Sequence, residues 1–350
     1  MSRTSRIFPT AAGLTAALVA LAACGSPGRI DKAGAVEHTV TTITLELPDS
    51  ADPDGTYFAS DVEKRSQGTL KVVVDSSTYS TADSTYGAHL VAAMRSGQVS
   101  FSYDPVRDWA AAGLPGFEAV DAPFLITTYD ATASLANSSL APAILSQLSR
   151  LGLVGLGLIP TEPRQILSVA PLFPLAAFHG ISLRIVDNAE TAALIKAIGA
   201  DPVQGLSADE TGVGLQGWLG GAETQPWAIV GNSYNAEAPY LTTYGLFPKL
   251  DVVVATKSAW AALTRAEQTA FRQAVVDTLV NSRQVPARES TELTTLCGAG
   301  LVLDQPSTGF FRSSTQPVRQ QGLLALLLAR SRLTARSTAG RARGLRRTMW

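Results

Sequence analysis

The sequence predicts an α/β protein of two lobes, and three observations carry that prediction. Short apolar strands alternate with helices that have recognisable caps and stops. The alternation occurs twice, over 42–103 and over 180–226, each time as β-α-β-α-β. A chain of 350 residues with 46% hydrophobic and 16% charged side chains can bury two cores of ordinary globular composition.

Taken in order, Arg3 and Arg6 precede an apolar run over 11–23. The run falls short of the roughly 20 residues a membrane span needs, so it reads as a signal peptide over 1–23. Leu21-Ala22-Ala23-Cys24 resembles a bacterial lipoprotein cleavage box, which implies that Cys24 becomes an acylated first residue on a flexible tether over 24–40. Residues 42–47 alternate as a strand, and 56–67 form a helix with Phe58 and Val62 one turn apart, closed by Gly68. Strand 70–74, a helix over 84–96 stopped by Gly97, and strand 99–103 complete the first unit. Asp130 can cap a helix running to about Arg150. The glycine-spaced 153–159 reads as a strand crossing to the second lobe, with 160–164 as a hinge.

The second unit holds one cation in an awkward place. Residues 183–186 form a short apolar strand with Arg184 in its middle. Asn188 caps the following helix, Gly199 suits its left-handed end, and 201–204 is the next strand. Ser207 and Glu210 make an S-x-x-E capping box for a helix ending near Trp218, and Gly220-Gly221 leads into Ala222 and Glu223. Ligands of such units sit outside the carboxyl ends of the strands, so Arg184, Trp218 and the segment 223–227, which includes Glu223 and Trp227, are candidates for one pocket. A covered guanidinium needs a partner, and two readings stay open: an internal ion pair with Asp187, Glu190 or Glu223, or a ligand carboxylate. Trp218 and Trp227 are candidates for the pocket's apolar wall, and Tyr79, Trp109 and Phe124 for its face on the first lobe; ordinary packing is the competing reading of each.

Residues 250–255 read as a strand. Thr264 and Glu267 form a second capping box, opening a long helix with Phe271, Val275 and Leu279 along one face. Residues 311–350 carry nine arginines without a core pattern. They read as a disordered tail or the product of a shifted reading frame near Val318, with a basic arm on anionic lipid as the alternative.

The pieces "YFASDVEKRSQGTLKVVV", "VDAPFLI", "GISLRIV", "IGADPV" and "GGAETQP", with a W-x-x-L-x-x-x-E-Q spacing in the late helix, resemble the solute-binding proteins of tripartite ATP-independent periplasmic (TRAP) transporters, the DctP-like family. The likeness runs over about 42–292. It implies a two-lobed periplasmic-binding-protein-like fold of type II, each lobe a β-sheet flanked by helices with the ligand cleft between them. Lobe I is then expected over 41–160, completed by about 245–265. Lobe II is expected over 161–244, completed by about 266–310, with the long helix packing across both. The resemblance also implies that Arg184 clamps a ligand carboxylate and that Arg164 can touch the ligand. The family's usual asparagine position falls here on Thr224, or on Gln225 after a one-residue slip.

Apart from the two arginines of the signal and the nine of the tail, 17 basic residues face 29 acidic ones, so the body is acidic, about -12, and does not attract nucleic acid. Cys297 alone remains in a mature chain starting at Cys24, which excludes an intramolecular disulfide. His38, His89 and His179 are far apart and form no metal motif. Gly212-x-Gly214-x-x-Gly217 matches a dinucleotide fingerprint only literally, because a helix has already begun at Ser207.

The expectation is therefore an exported, lipid-anchored, monomeric receptor without cofactor, metal or catalysis. It would take a small organic acid by hinge closure and deliver it to TRAP membrane subunits. The competing expectations are a receptor for an ATP-driven importer or a sensor kinase, and an exported enzyme on the same fold.

Overall fold

The computed structural model describes residues 40–305 apart from Phe124 and Pro174. The signal, Cys24, the tether and the arginine-rich tail lie outside the described residues. Eleven strands occur among those described: β1 (Thr41–Glu46), β2 (Leu70–Asp75), β3 (Phe101–Pro105), β4 (Leu153–Pro160), β5 (Gln165–Ser168), β6 (Ser182–Arg184), β7 (Asp201–Val203), β8 (Gly221–Thr224), β9 (Tyr240–Thr242), β10 (Leu250–Thr256) and β11 (Val302–Asp304).

They form two sheets, in the orders β2-β1-β3-β10-β4 and β11-β9-β5-β8-β6-β7. Each sheet contains the same parallel triplet, β2-β1-β3 in one and β7-β6-β8 in the other. Next to the third strand of each triplet lies an antiparallel strand from a crossing segment: β10 beside β3, and β5 beside β8. The chain passes from β4 to β5 and returns from β9 to β10. These passages pair with each other, since Arg164 N donates to Phe247 O at 3.1 Å, Leu246 N to Arg164 O at 2.7 Å and Thr161 N to Lys249 O at 3.0 Å. The hinge expected at 160–164 is thus one half of a two-stranded ribbon.

Strand alternation puts successive side chains on opposite faces, so both faces of each sheet are filled. Val252 and Val254 of β10 join Leu90, Trp109, Phe117 and Leu148 on one side, and Val253 joins Phe58, Tyr103 and Phe271 on the other. In the second sheet Leu183, Ile185, Leu194 and Ile195 pack on one face, and Leu167, Leu215, Ile229 and Leu296 on the other.

Local signals place most helices. Asn188 Oδ1 accepts from Thr191 N at 2.8 Å, and Gly199 closes that helix with φ +98. Both capping boxes form, Ser207 with Glu210 and Thr264 with Glu267. Three expectations are corrected. The helix expected to be capped by Asp130 is capped by Thr128 and ends at Ala136; Leu140–Leu145 and a 3-10 turn follow, because Asn137 and Ser138 bond back to Ala133 and Leu135. The long helix Arg265–Asn281 does not cross both lobes. Its Phe271, Ala274 and Val275 fill the first sheet's core, and the next helix, Val285–Gly298, reaches the second through Leu296. The helix expected to end near Trp218 stops at Leu215.

Candidate functional site

All four central parallel strands end at one cavity. Leu47, Pro48 and Asp49 follow β1, and Arg107 follows β3. Arg184 ends β6, with Val186 two residues on, and Thr224 ends β8, with Gln225 next. The carboxyl ends of the parallel strands from both sheets therefore face a single space, the position in which doubly wound sheets hold ligands. It leaves about 880 Å³ unfilled, counting the solvent at its mouth. Tyr86, Tyr103, Trp227, Asn232, Tyr234 and Lys249 complete much of the wall.

The cations of this wall differ in what answers them. Arg164, buried on the crossing ribbon, is neutralised by protein: Nε pairs with Glu223 Oε1, Nη1 donates to Gln225 Oε1 at 3.2 Å, and Nη2 to the Glu223 carbonyl at 3.1 Å. Burial pushes the Glu223 carboxyl up, but Arg164, with Arg107 and Arg184 behind it, outweighs that and holds it below the ordinary range. Lys249 Nζ lies 3.1 Å from Asp251 and 3.7 Å from Asp52. Arg107 Nη2 donates to Tyr86 Oη at 2.6 Å, and its Nε sits 3.7 Å from Asp108.

Arg184 is different. Its Nε and Nη2 donate to the Leu206 carbonyl at 3.3 and 2.9 Å, and no carboxylate pairs with it among the described residues. Burial lowers its pKa; Glu223 partly offsets this, and Arg164 and Arg107 add to it. Of the two readings open in the sequence, the internal ion pair does not form: Asp187 and Glu190 make no bond to Arg184, and Glu223 is taken by Arg164. Arg184 is a half-buried cation anchored by a neutral carbonyl, suited to an incoming anion.

Arg164, Arg184, Thr224, Gln225 and Trp227 all line the cavity, and Glu223 stands behind as the partner of Arg164. Gly221 lets β8 run close to β5, because a Cβ there would meet the Leu167 carbonyl. Two candidates lie elsewhere. Trp218 is 55% exposed, since its helix has already ended and the chain turns outward there. Tyr79 packs in the first lobe's core, as does Trp109, and neither lines the cavity. Phe124 falls outside the described residues. Arg107, Asp49 and Lys249 escaped the sequence reading, although the carboxyl-end rule that found Arg184 would have found the first two if applied to the earlier unit.

Among the described residues no cluster of His, Cys, Asp or Glu could hold a metal ion, and no helix is long and apolar enough to cross a membrane. Gly212 and Gly214 lie inside the capped helix Ala208–Leu215, so the glycine triplet does not form a strand-to-helix phosphate loop.

Residues 53–322 match the family described as bacterial extracellular solute-binding protein, family 7 (DctP). No curated protein matches the chain by sequence. Among solved structures the fold is similar to three TRAP periplasmic solute-binding proteins. That of Pseudomonas putida F1, with bound D-glucuronate, is 18% identical, with TM-score 0.73 and coverage of 84% of this chain and 97% of that one. That of Xanthobacter autotrophicus Py2, with bound β-D-galacturonate, is 19% identical, with TM-score 0.72 and coverage of 84% and 99%. That of Polaromonas sp. JS666, bound to D-erythronate, is 19% identical, with TM-score 0.73 and coverage of 84% and 97%.

Proposed function

Since the chain belongs to bacterial extracellular solute-binding protein family 7, the DctP-like receptors of TRAP transporters, we propose that Arg184 binds the carboxylate of a small organic acid held between the lobes. The protein is a receptor and not an enzyme, and members of this family work outside the cytoplasm with membrane transporter subunits. The observation that carries the reading is the state of Arg184: it stands at the carboxyl end of β6, lines the cavity between the lobes, and pairs with no acid among the described residues. A bidentate carboxylate would supply the charge it lacks. Thr224 and Gln225 stand beside it, and Arg164, held by Glu223 and Gln225, fixes the neighbouring wall. The acids named for the similar proteins, glucuronate, galacturonate and erythronate, are the first ligands to try.

In this reading closure about the ribbon at 160–164 and 246–249 draws the first lobe's Arg107 and Asp49 onto the same guest. The free energy for closing comes from contacts better made when the lobes are together. A monomer tethered to the outer face of the membrane by lipid on Cys24 would then present the closed form to the TRAP membrane subunits. Thermal-shift screening against sugar acids, hydroxy acids, keto acids and amino acids tests the reading. A ligand at 100 times its Kd adds about 2.7 kcal/mol to the folded state. A folded protein that no small carboxylate stabilises would overturn it.

A further inference from the structure

The charges around the cavity are unevenly answered at its two sides. On the second lobe's side no acid among the described residues pairs with Arg184, whereas Arg164 is neutralised by Glu223; on the first lobe's side Lys249 is answered by Asp251 with Asp52, and Arg107 stands 3.7 Å from Asp108. On the first lobe's side the wall includes Asp49 and Asp83, and neither pairs with a lysine or arginine among the described residues. Asp49 Oδ1 accepts from Ala51 N at 2.9 Å. Asp83 Oδ1 accepts from Thr85 N and Oγ1 at 2.9 and 2.8 Å, and these bonds hold its carboxyl below the ordinary range. Its Oδ2 lies 3.1 Å from the exposed imidazole of His89. The site therefore offers one uncompensated cation and, opposite it, two carboxylates. A ligand with a carboxylate at each end would satisfy Arg184 and place its second charge against Asp49 and Asp83, whose repulsion is only partly screened in a cavity.

The uncharged groups on the wall say what the far end should carry. Tyr103, 1% exposed, lines the cavity, and its Oη makes no hydrogen bond. Thr81 and Ser84 stand on the same side. Neutral donors and acceptors spread along a cavity match a chain of hydroxyls, each able to give and to accept, and hydroxyls also donate to Asp49 and Asp83.

We propose that Asp49 and Asp83 are specificity-determining residues that make this receptor take a hydroxylated acid with a single carboxylate and turn dicarboxylates away. The proposal rests on capture of the acid at Arg184 and adds the rule for its other end.

Two pairs of acids of matched length test it, each differing only in whether the terminal carbon is a hydroxymethyl or a carboxylate: D-erythronate with meso-tartrate, and D-gluconate with D-glucarate. Isothermal titration of the intact mature chain at low and physiological salt gives the affinities. The hydroxymethyl member should bind about tenfold or more tightly than its diacid. In the Asp49→Asn, Asp83→Asn double variant the ratio should collapse, mainly because the diacid tightens. Asparagine keeps the Oδ1 acceptor that each loop uses, so the fold should survive, and circular dichroism checks this. A diacid that binds as tightly as its partner, or a ratio unchanged in the folded double variant, overturns the specificity rule while leaving acid capture intact. If none of the four acids binds the folded wild-type chain, the specificity rule falls, and the wider thermal-shift screen decides acid capture separately.

Discussion

Two arginines twenty residues apart in the chain line one cavity, yet their tasks differ because of what each is bonded to. Arg164 and Glu223 are buried together, so removing the guanidinium leaves a carboxylate desolvated and unpaired. Arg164→Ala should cost about 3–5 kcal/mol in chemical denaturation, and adding Glu223→Gln should recover part of it. The Glu223 pKa is held below its ordinary value in the fold. Its contribution is therefore present above the unfolded carboxyl pKa, near 4.3, and is lost as pH falls through the lower folded value. An acid-melting profile of wild type against Glu223→Gln would show this as a steeper fall for wild type below about pH 4. The sequence revealed that Arg184 was an anomaly, since a cation in a short apolar strand is visible locally. It could not reveal which arginine Glu223 would choose, because that depends on how β5 lies against β8.

At the scale of the element, one helix cap also links the lobes. Asn188 holds the start of its helix through Oδ1, while its Nδ2 donates to Asp121 Oδ2 across the interface at 2.8 Å. Both residues are buried, and desolvation raises the Asp121 pKa to about 8, with Glu190 and Glu223 pushing the same way and Arg107 opposing. An aspartate in water titrates near 3.9, so the joined lobes hold the proton more tightly than any form in which water reaches Asp121. The sign follows: this contribution to joining is complete below about pH 4, declines as pH rises toward 8, and is then constant. Spin labels on the two lobes of the ligand-free protein should therefore report a larger closed fraction at pH 6 than at pH 8.5. Asp121→Asn should flatten the dependence, whereas an unchanged pH profile in that variant would show that Asp121 does not control it. Elsewhere, losing a cap should cost only local stability: Thr264→Ala is expected to lower stability by about 1 kcal/mol without touching affinity. Caps and glycine stops were the most legible features of the sequence, because each is completed within four residues. The break at Asn137 was not, since the apolar spacing continues through it and only side-chain bonds to the backbone interrupt the helix.

The described molecule repeats one plan twice, a parallel triplet joined by an antiparallel strand from a crossing segment. Two β-α-β-α-β units were readable as units because their periodicity is local. The insertion of β10 between β3 and β4, which brings the chain back to the first sheet after the second, was not readable, because strand pairing over 90 or more residues leaves no mark in either segment. This arrangement explains why the site is shared: the carboxyl ends of both triplets must meet where the crossing segments bring the sheets together. Small-angle scattering should accordingly show a smaller radius of gyration when a bound acid is present. Acid capture turns on Arg184, and isothermal titration of Arg184→Ala with the tightest-binding acid of the thermal screen tests it most directly. The expected result is a protein with an unchanged unfolding transition and at least a hundredfold loss of affinity, in line with losing a charge-assisted bidentate contact. An Arg184→Ala protein that binds the acid as tightly as wild type would contradict it.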